Sequence, residues 1–303
     1  MKRLSTLVAF LLFSIAASMA NFPFKGGKHT NVVDYVNPYM SNAKIYLNGS
    51  FVGEWPYGYA SFSFNVSPYF IYGEKNVLAV RLENKPEMSR FYSGAGLYRP
   101  VRMVCVEPIH VAQWGTHITT PECQDKMGQV CVKTNIQNTT GVVRTIKLVT
   151  EIHDKNGRCV ATIGTVKKFA KDYEFNQSVD VRNPILWDLE HPTLYHVVSK
   201  VFVDGLICDT YQSSFGFRSI HFDKDKGFFL NHQPLKIKGV CLHHDLGPLG
   251  AAVNRRATER QLEIMKEMGC NAIRTAHNPS SRELLELCDS MVVILSEFKT
   301  VYG

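Results

Sequence analysis

The chain has 303 residues, more than one ordinary domain needs, so its length indicates two or three domains. Hydrophobic residues make up 45% and charged residues 20% of the sequence, which is typical of a globular protein with well-filled apolar cores. The formal charge of +7 comes from Lys and Arg residues that are scattered along the chain. The sequence therefore predicts neither a nucleic-acid-binding patch nor a basic membrane-surface patch.

Residues 1–20 have the features of a secretory signal peptide. Met1-Lys2-Arg3 is followed by an apolar run from Leu7 to Ala17 and then by Ser18-Met19-Ala20, with small residues where a signal peptidase reads them. We expect cleavage after Ala20, with an uncleaved anchor as the second choice. The apolar run is short for a bilayer span and no later segment reaches the required length. The sequence therefore predicts a secreted or periplasmic protein without a membrane span.

The sequence contains eight cysteines, and export would permit disulfides. No CxxC pair or Cys/His spacing typical of a metal site is present, so we predict no metal and no cofactor. Cys241, Cys270 and Cys288 lie inside apolar patterns and are expected to be small buried hydrophobes. Cys123 and Cys131 could close a small loop, but the spacing alone does not establish a bond.

Residues 21–107 read as an incomplete β-sandwich. Ala43–Leu47 alternates in polarity and leads into Asn48-Gly49, a hairpin signal. Ser61–Val66 and Asn76–Leu82 alternate in the same way, which favours a β-sandwich. Residues 21–42 show little regular pattern, so we expect part of the strand set to be missing.

Two further features of this region are its aromatic residues and a glycine-rich turn. Most of the aromatic rings are expected in the core, with a sugar-stacking platform as the alternative. The turn Ser93–Pro100 has no Lys and no following helix, so it does not match a phosphate-binding loop.

Residues 108–220 are predicted to form an immunoglobulin-like sandwich. Val130–Ile136, Thr145–Ile152 and Tyr195–Val203 alternate cleanly, and turns such as Asn156-Gly157 separate strands. About seven strands over roughly 100 residues fit that architecture. We find no chemical constellation in this segment and interpret it as a spacer.

Residues 221–303 change to strands that alternate with helices. A hairpin is predicted from Gly227–Leu230 into Leu235–Lys238, and the next strand opens into His243-His244-Asp245. Thr258 with Gln261 predicts the start of a helix.

A second strand is predicted at Asn271–Thr275, and Ser280 with Glu283 predicts a second helix start. A third strand is predicted at Val292–Leu295. The order β-α-β-α-β with parallel strands predicts the opening of an α/β domain.

Three stretches resemble glycoside hydrolase family 2, which contains β-galactosidases, β-glucuronidases and β-mannosidases. They are Asn271–Pro279 followed by Cys288-Asp289, Lys238–Asp245, and Ser93–Arg99. The resemblance implies that residues 21–107 are an incomplete, sugar-binding jelly-roll sandwich. It also implies an immunoglobulin-like sandwich and the first strands of a (β/α)8 barrel, truncated here. The pattern around His243 is most similar to β-galactosidase-type members.

The resemblance also implies retaining hydrolysis of β-linked glycans, in carbohydrate metabolism, by two glutamates about 5 Å apart. In the family these glutamates stand on later barrel strands, and this chain ends after about three of the eight strands. We therefore assign no catalytic carboxylate here and expect this fragment to be inactive alone. Alternatives are a non-catalytic carbohydrate-binding protein and a β-glucuronidase or β-mannosidase specificity. The expected partner is an oligo- or polysaccharide, and the oligomeric state is open.

Five residues carry the supporting roles that the resemblance implies. Arg274 would keep the nucleophile carboxylate ionised. His277 and Asn278 would shape the sugar site, and His243 and Asp245 would contact sugar hydroxyls. For the neighbouring His244 we expect a structural role, because adjacent strand residues point to opposite faces.

The end of the chain departs from the family pattern. Met291-Val292 lacks the usual Gly after the Met, Ser296-Glu297 replaces an Asp-Glu pair, and Lys299–Gly303 matches nothing expected. A damaged or interrupted reading frame, with a product that has no role of its own, is therefore a further alternative.

Overall fold

The computed structural model describes residues 7–15, 29–34, 43–84, 96–124, 126–276, 278–291 and 294–297. Several predicted features lie outside these residues. They are the cleavage position at Ala20, the first residues of the glycine-rich turn (93–95), the site candidate His277, the start of the predicted third strand (292–293), and residues 298–303.

The first domain is a sandwich of two sheets. Its strands are β1 (Leu7–Ile15), β2 (His29–Asp34), β3 (Ala43–Leu47), β4 (Ser50–Trp55), β5 (Phe62–Asn65), β6 (Asn76–Asn84) and β7 (Val101–Val106). One sheet has the order β1-β6-β3-β4 and the other β5-β2-β7. Ile45, Leu47, Leu78 and Val80 fill the core between them, because alternate residues of β3 and β6 face inward.

Two parts of this sandwich bear on the sequence predictions. The Asn48-Gly49 turn has φ angles of 52° and 82°, as a type I′ hairpin turn requires. The prediction of little regular structure in residues 21–42 was wrong for β2, which pairs with β5 and β7. A strand with partners on both sides is held by its backbone ladder and does not need strict alternation.

The apolar run of the predicted signal peptide forms β1, an edge strand. It pairs antiparallel with β6 from Leu7 opposite Asn84 to Ile15 opposite Asn76. A run that is apolar apart from Ser14 has the composition of a strand as well as of a leader.

The second domain is a sandwich of two four-stranded sheets. Its strands are β8 (Ile109–Thr119), β9 (Cys123–Gln124), β10 (Met127–Asn138), β11 (Arg144–His153), β12 (Cys159–Phe169), β13 (Tyr173–Arg182), β14 (Tyr195–Val203) and β15 (Leu206–Phe215). One sheet is β13-β10-β8 with β9 paired to β10, and the other is β12-β11-β14-β15. Buried side chains such as Ile136, Leu148, Phe175 and Val201 join the two. The immunoglobulin-like identity of this sandwich remains a prediction.

A short hairpin leads to the third domain, through β16 (Ile220–Asp223), β17 (Gly227–Leu230) and β18 (Gln233–Pro234). We predicted the returning strand at Leu235–Lys238, and that prediction was wrong. Asn231 and His232 both have positive φ, 50° and 63°. Two consecutive left-handed residues make a tight two-residue turn, so the return begins at once.

The third domain has the predicted β-α-β-α-β order. Its elements are β19 (Gly239–Leu242), α1 (Arg255–Glu267), β20 (Ala272–Thr275), α2 (Arg282–Met291) and β21 (Ile294–Glu297). The three strands are parallel, in the order β19-β20-β21. Leu262, Ile273, Leu284 and Leu287 pack the helices on one face of this sheet. These elements form the start of a barrel, and within the described residues the barrel is not closed.

Both helix starts differ from the predicted positions. Asn254 caps α1, because its Oδ1 accepts the backbone N–H of Ala257 at 3.0 Å. Thr258 lies inside the helix and its hydroxyl donates to the Asn254 carbonyl at 3.0 Å. At α2 the Ser281 hydroxyl accepts the Leu284 N–H at 3.2 Å, so the cap is Ser281 and not Ser280. Several Asn and Ser residues precede each helix, and spacing alone did not select the right one.

All eight cysteines are free thiols. Cys288 is buried as predicted, and burial raises the pKa of its thiol to about 12, so it behaves as a small hydrophobe. Cys241 is exposed, which contradicts the prediction. Its side chain faces away from the two helices, on the face that they leave uncovered.

None of the described helices is both long and apolar enough to cross a membrane.

Candidate functional site

A cleft lies where the first sandwich meets the ends of β19 and β20. Most of the residues that line it come from the turn before β7, the loop after β19 and the loop after β20, and helices α1 and α2 contribute others. The lining residues include Tyr98, Arg99, His243, His244, Asp245, Thr275, Asn278, Pro279 and Ser280.

The loop after β19 presents two imidazoles and a carboxylate. His243 is exposed at the cleft, and His244 is half-buried. The His244 ring lies 5.4 Å from the Tyr59 ring and 6.4 Å from the Tyr98 ring, both edge-on. These contacts pack His244 against the first sandwich. His244 also lines the cleft with His243, so its purely structural role stays a prediction.

Asp245 follows on the same loop. Its backbone carbonyl accepts a hydrogen bond from Gln261 Nε2 of α1 at 3.4 Å. The helix thereby fixes the backbone that carries the carboxylate at the cleft.

The loop after β20 begins in register with β19 and then turns toward the first sandwich. The Ala276 N–H donates to the Leu242 carbonyl at 2.9 Å, which extends the parallel ladder by one bond. Asn278 then lies at the cleft, where the Tyr57 hydroxyl approaches its Oδ1 at 3.5 Å. Tyr57 is 47% exposed, so its ring forms an accessible wall beside the amide.

Arg99 joins the two sides of the cleft. Its Nη2 donates to the Pro279 carbonyl at 2.7 Å and its Nη1 to the Tyr59 carbonyl at 3.3 Å. The side chain is only 7% exposed, and the guanidinium lies 5.1 Å from the centre of the Tyr98 ring. A charge-assisted bond in a buried setting fixes the Pro279 loop firmly to the sandwich.

Sequence reasoning did not place Arg99 or Tyr57 among the site residues. The signal available was the stretch Gly96-Leu97-Tyr98-Arg99, which we used to exclude a phosphate loop and as part of the family resemblance, without assigning Arg99 a role. The partners of Arg99 lie 40 and 180 residues away along the chain, and no local pattern predicts them.

Arg274 does not line the cleft but lies on one face of the β19-β20-β21 sheet. Its strand neighbours in register are Cys241 and Ser296, and its Nη1 approaches Cys241 Sγ at 3.6 Å. The alternate residue Ile273 packs under the helices. Arg274 therefore faces the side of the sheet that becomes the interior of a closed barrel.

A second contact region joins the middle sandwich to the barrel through Trp187, which is 2% exposed. Its Nε1 donates to the Asp289 carbonyl at 2.7 Å, and the Arg218 guanidinium lies 4.9 Å from its ring centre. Burial raises the pKa of the Asp289 carboxyl, while Arg218, at 3.8 Å, lowers it.

Of the five predicted site residues, three line the cleft together: His243, Asp245 and Asn278. Arg274 lies apart from them, and His277 is outside the described residues. The cleft offers an imidazole, a carboxylate, an amide and a phenol ring. This set suits a polyhydroxylated ligand that has both hydrogen-bonding edges and a C–H face.

Comparison with known proteins gives the same order of the second sandwich and the barrel domain. The family model "Glycosyl hydrolases family 2" matches residues 109–218. The model of that family's TIM barrel domain matches residues 223–301. The second match continues beyond the altered residues at Met291-Val292 and Ser296-Glu297.

Individual relatives cover more of the chain. A β-galactosidase of Bacteroides ovatus, BoGH2A, is 42% identical over 88% of this chain and 31% of its own length. A β-glucuronidase of Bacteroides fragilis is 31% identical over 84% of this chain and 38% of its own.

Among solved structures, a glycosyl hydrolase family 2 member from Bacteroides cellulosilyticus superposes with a TM-score of 0.89 and 34% identity. The match covers 95% of this chain and 39% of that one. The chain thus spans about a third of the length of the relatives it matches. From its two sandwiches, its parallel strand-helix units and these matches, the chain belongs to glycosyl hydrolase family 2.

Proposed function

We propose that this chain forms the sugar-binding side of an exported, retaining β-glycosidase that prefers β-galactosides. The observation that carries the proposal is the cleft in which His243, Asp245 and Asn278 meet between the first sandwich and the barrel strands. Sugar hydroxyls need both donors and acceptors, and these three side chains supply both. Tyr57 adds an exposed aromatic ring at the edge of the cleft.

In the proposed enzyme the reacting carboxylates stand on barrel strands that follow β21. Retaining hydrolysis needs two carboxyl groups about 5 Å apart, one as nucleophile and one as acid and base. Arg274 faces the barrel interior, where its guanidinium would lower the pKa of a neighbouring carboxyl and orient it by hydrogen bonds. The 303-residue chain would bind sugar and contribute Arg274 without performing hydrolysis alone.

A β-galactoside is the preferred substrate in this proposal because the β-galactosidase of Bacteroides ovatus is 42% identical. The β-glucuronidase of Bacteroides fragilis, at 31% identity, makes glucuronides the first alternative, followed by β-mannosides. A glucuronide carries a carboxylate, so a site that selects it must present a cation to that group.

Binding and hydrolysis can be tested separately on the purified chain. We expect saturation-transfer NMR to detect methyl β-D-galactoside on the wild-type chain, with a signal reduced severalfold in His243→Ala and Asn278→Ala. His191→Ala is the matched control, because His191 is an exposed loop residue far from the cleft in sequence. Equal signals in all four proteins would remove the cleft from the proposal.

The hydrolysis assay uses aryl β-galactoside, β-glucuronide and β-mannoside. We expect no turnover by the 303-residue chain. Turnover of the galactoside that is lost in Arg274→Ala would show that the chain is a complete catalyst, and the proposed division of roles would then be wrong.

Non-catalytic glycan binding is the second candidate, favoured by the exposed Tyr57 ring. It predicts that Tyr57→Ala abolishes galactoside binding while His243→Ala and Asp245→Ala leave it unchanged. The glycosidase proposal predicts that all three variants bind less.

A further inference from the structure

A cluster of three ligand-type side chains lies on the second sandwich, away from the cleft. Glu151 and His153 are two residues apart on β11, and Cys159 begins β12 directly opposite His153. Ile152 between them is fully buried, so Glu151 and His153 face outward together. The carboxylate, imidazole and thiol atoms of the three residues all lie within 4.8 Å of one another.

Hydrogen bonds from neighbouring groups orient the His153 imidazole and the Glu151 carboxylate. His153 Nδ1 lies 3.0 Å from the Gly157 carbonyl, the acceptor that the ring needs to keep its Nδ1 proton. Lys200 Nζ donates to Glu151 Oε1 at 2.6 Å. The two remaining atoms, His153 Nε2 and Glu151 Oε2, face each other at 2.9 Å.

In known metal sites the ligand side chains are held in the same way, by hydrogen bonds to neighbouring groups that do not touch the metal. A ligating histidine commonly donates its second ring N–H to a carbonyl, which fixes the tautomer and aims the other nitrogen at the ion. A hydrogen-bonded carboxylate is oriented in the same way.

We propose that Glu151 Oε2, His153 Nε2 and Cys159 Sγ form a binding site for Zn²⁺, with water as the fourth ligand. Tetrahedral zinc with nitrogen, oxygen and sulfur ligands separates its ligand atoms by about 3.3 to 3.6 Å. The pair at 2.9 Å opens and the longer separations close by side-chain rotation. Binding releases the thiol proton of Cys159 and, where His153 is protonated, its Nε2 proton.

The other reading of this cluster is an ion-pair network without metal. Glu151 raises the pKa of His153, and the Gly157 carbonyl raises it further, so a proton competes with the ion for Nε2. Lys200 faces the same carboxylate from β14. His196, opposite His153 on β14, has its Nδ1 3.1 Å from Ser214 Oγ. The Cys159 thiol lies 3.4 Å from the Ala161 carbonyl and adds little to the ion pair. Its thiolate is a strong zinc ligand, so Cys159 distinguishes the two readings.

Cobalt substitution tests the site on the full 303-residue chain, purified without metal and kept reduced with a thiol-free reductant at about pH 7.5, where metal binding competes with protons. Co²⁺ reports its ligands through visible bands of a tetrahedral centre and a near-ultraviolet thiolate-to-cobalt band. We expect one equivalent to bind with both signals, and one equivalent of Zn²⁺ to displace it.

Three variants and one control assign the ligands. Cys159→Ser should remove the thiolate band, and Glu151→Gln and His153→Ala should each weaken Zn²⁺ binding at least tenfold. Cys131→Ser is the control, since Cys131 lies on β10 and contacts Ser178 and Gln129 instead. All substituted side chains face out of the cores, and circular dichroism verifies that each variant is folded. A thiolate band that persists in Cys159→Ser, or wild-type protein that binds no stoichiometric Co²⁺, would overturn the proposal.

Discussion

The Arg99 guanidinium donates to the Pro279 carbonyl at 2.7 Å across the boundary between the first sandwich and the barrel strands. This bond fixes the loop that carries Asn278, and with it one wall of the cleft. Further bonds cross the same boundary. The Val253 N–H donates to the Tyr98 carbonyl at 2.8 Å, and Arg102 pairs with Glu283 at 3.1 Å. The sandwich and the barrel elements therefore form the cleft together.

Replacement of Arg99 by Ala is expected to lower the free energy of unfolding by about 2 to 4 kcal/mol. The reason is that the Pro279 and Tyr59 carbonyls lose their charged hydrogen-bond donor at a buried position. Arg99→Lys should recover only part of this, since an ammonium cannot reproduce the planar fork. Urea unfolding measures the change. Arg255→Ala is the control: its pair with Glu286 is exposed, and we expect a loss of about 0 to 1 kcal/mol. Equal losses in Arg99→Ala and Arg255→Ala would contradict the interpretation.

Trp187 should be a second strong determinant of stability, because it packs against Phe228 and Leu230 and bonds to the Asp289 carbonyl. Trp187→Ala is expected to cost about 3 to 5 kcal/mol. Trp187→Phe keeps most of the packing but leaves the Asp289 carbonyl without its indole donor, at a cost of about 1 to 3 kcal/mol.

Denaturant unfolding, followed by far-ultraviolet circular dichroism, measures both Trp187 variants. Trp114→Phe is the matched control because Trp114 is 50% exposed. If the control lost as much as Trp187→Phe, the indole bond would not account for the effect.

The predicted leader can be tested by the mass of the exported protein. We expect the periplasmic form in a Gram-negative host to begin at Asn21 and to lack β1, which opens the edge of β6 to solvent. Ala20→Lys should block processing, because signal peptidase requires a small residue there. A periplasmic protein of full mass would show that β1 is retained as the edge strand.

Strand prediction succeeded where one face of a strand is buried and the other is not. Tyr195–Val203 and Ala43–Leu47 were predicted with the bounds that the structure has, because alternation records the two faces directly. It failed for β2, a central strand whose stability comes from pairing on both sides. The Asn254 and Ser281 caps were missed because competing cap residues stand nearby.

The lining of the cleft could be predicted only where a strand end carries its own chemistry. His243, Asp245 and Asn278 follow β19 and β20 directly, and the structure brings them to one cleft. Arg99 depends on partners far along the chain. The Glu151, His153 and Cys159 cluster likewise depends on strand register, which pairs His153 with Cys159. Metal-ligand spacing in the sequence therefore gave no indication of it.

The last prediction concerns pH and the metal-free protein. Lys200 and then His153 bind the Glu151 carboxylate and lower its pKa from 4.5. Glu151 and then the Gly157 carbonyl raise the pKa of His153 from 6.5. The contribution of Glu151 is present above its unfolded pKa and is lost as pH falls through its lowered folded value. That of His153 is present below its unfolded pKa and is lost as pH rises through its raised folded value.

Both contributions are therefore complete between about pH 4.5 and 6.5. In this window, with EDTA present, His153→Gln should destabilise the chain by up to about 1 kcal/mol, since the pair is only partly buried. The loss should shrink above the window as wild-type His153 gives up its proton. In a Glu151→Gln background the same substitution should cost less, because the carboxylate partner is gone and only the bond to the Gly157 carbonyl is lost. A His153→Gln loss that grows with rising pH would contradict the ion pair.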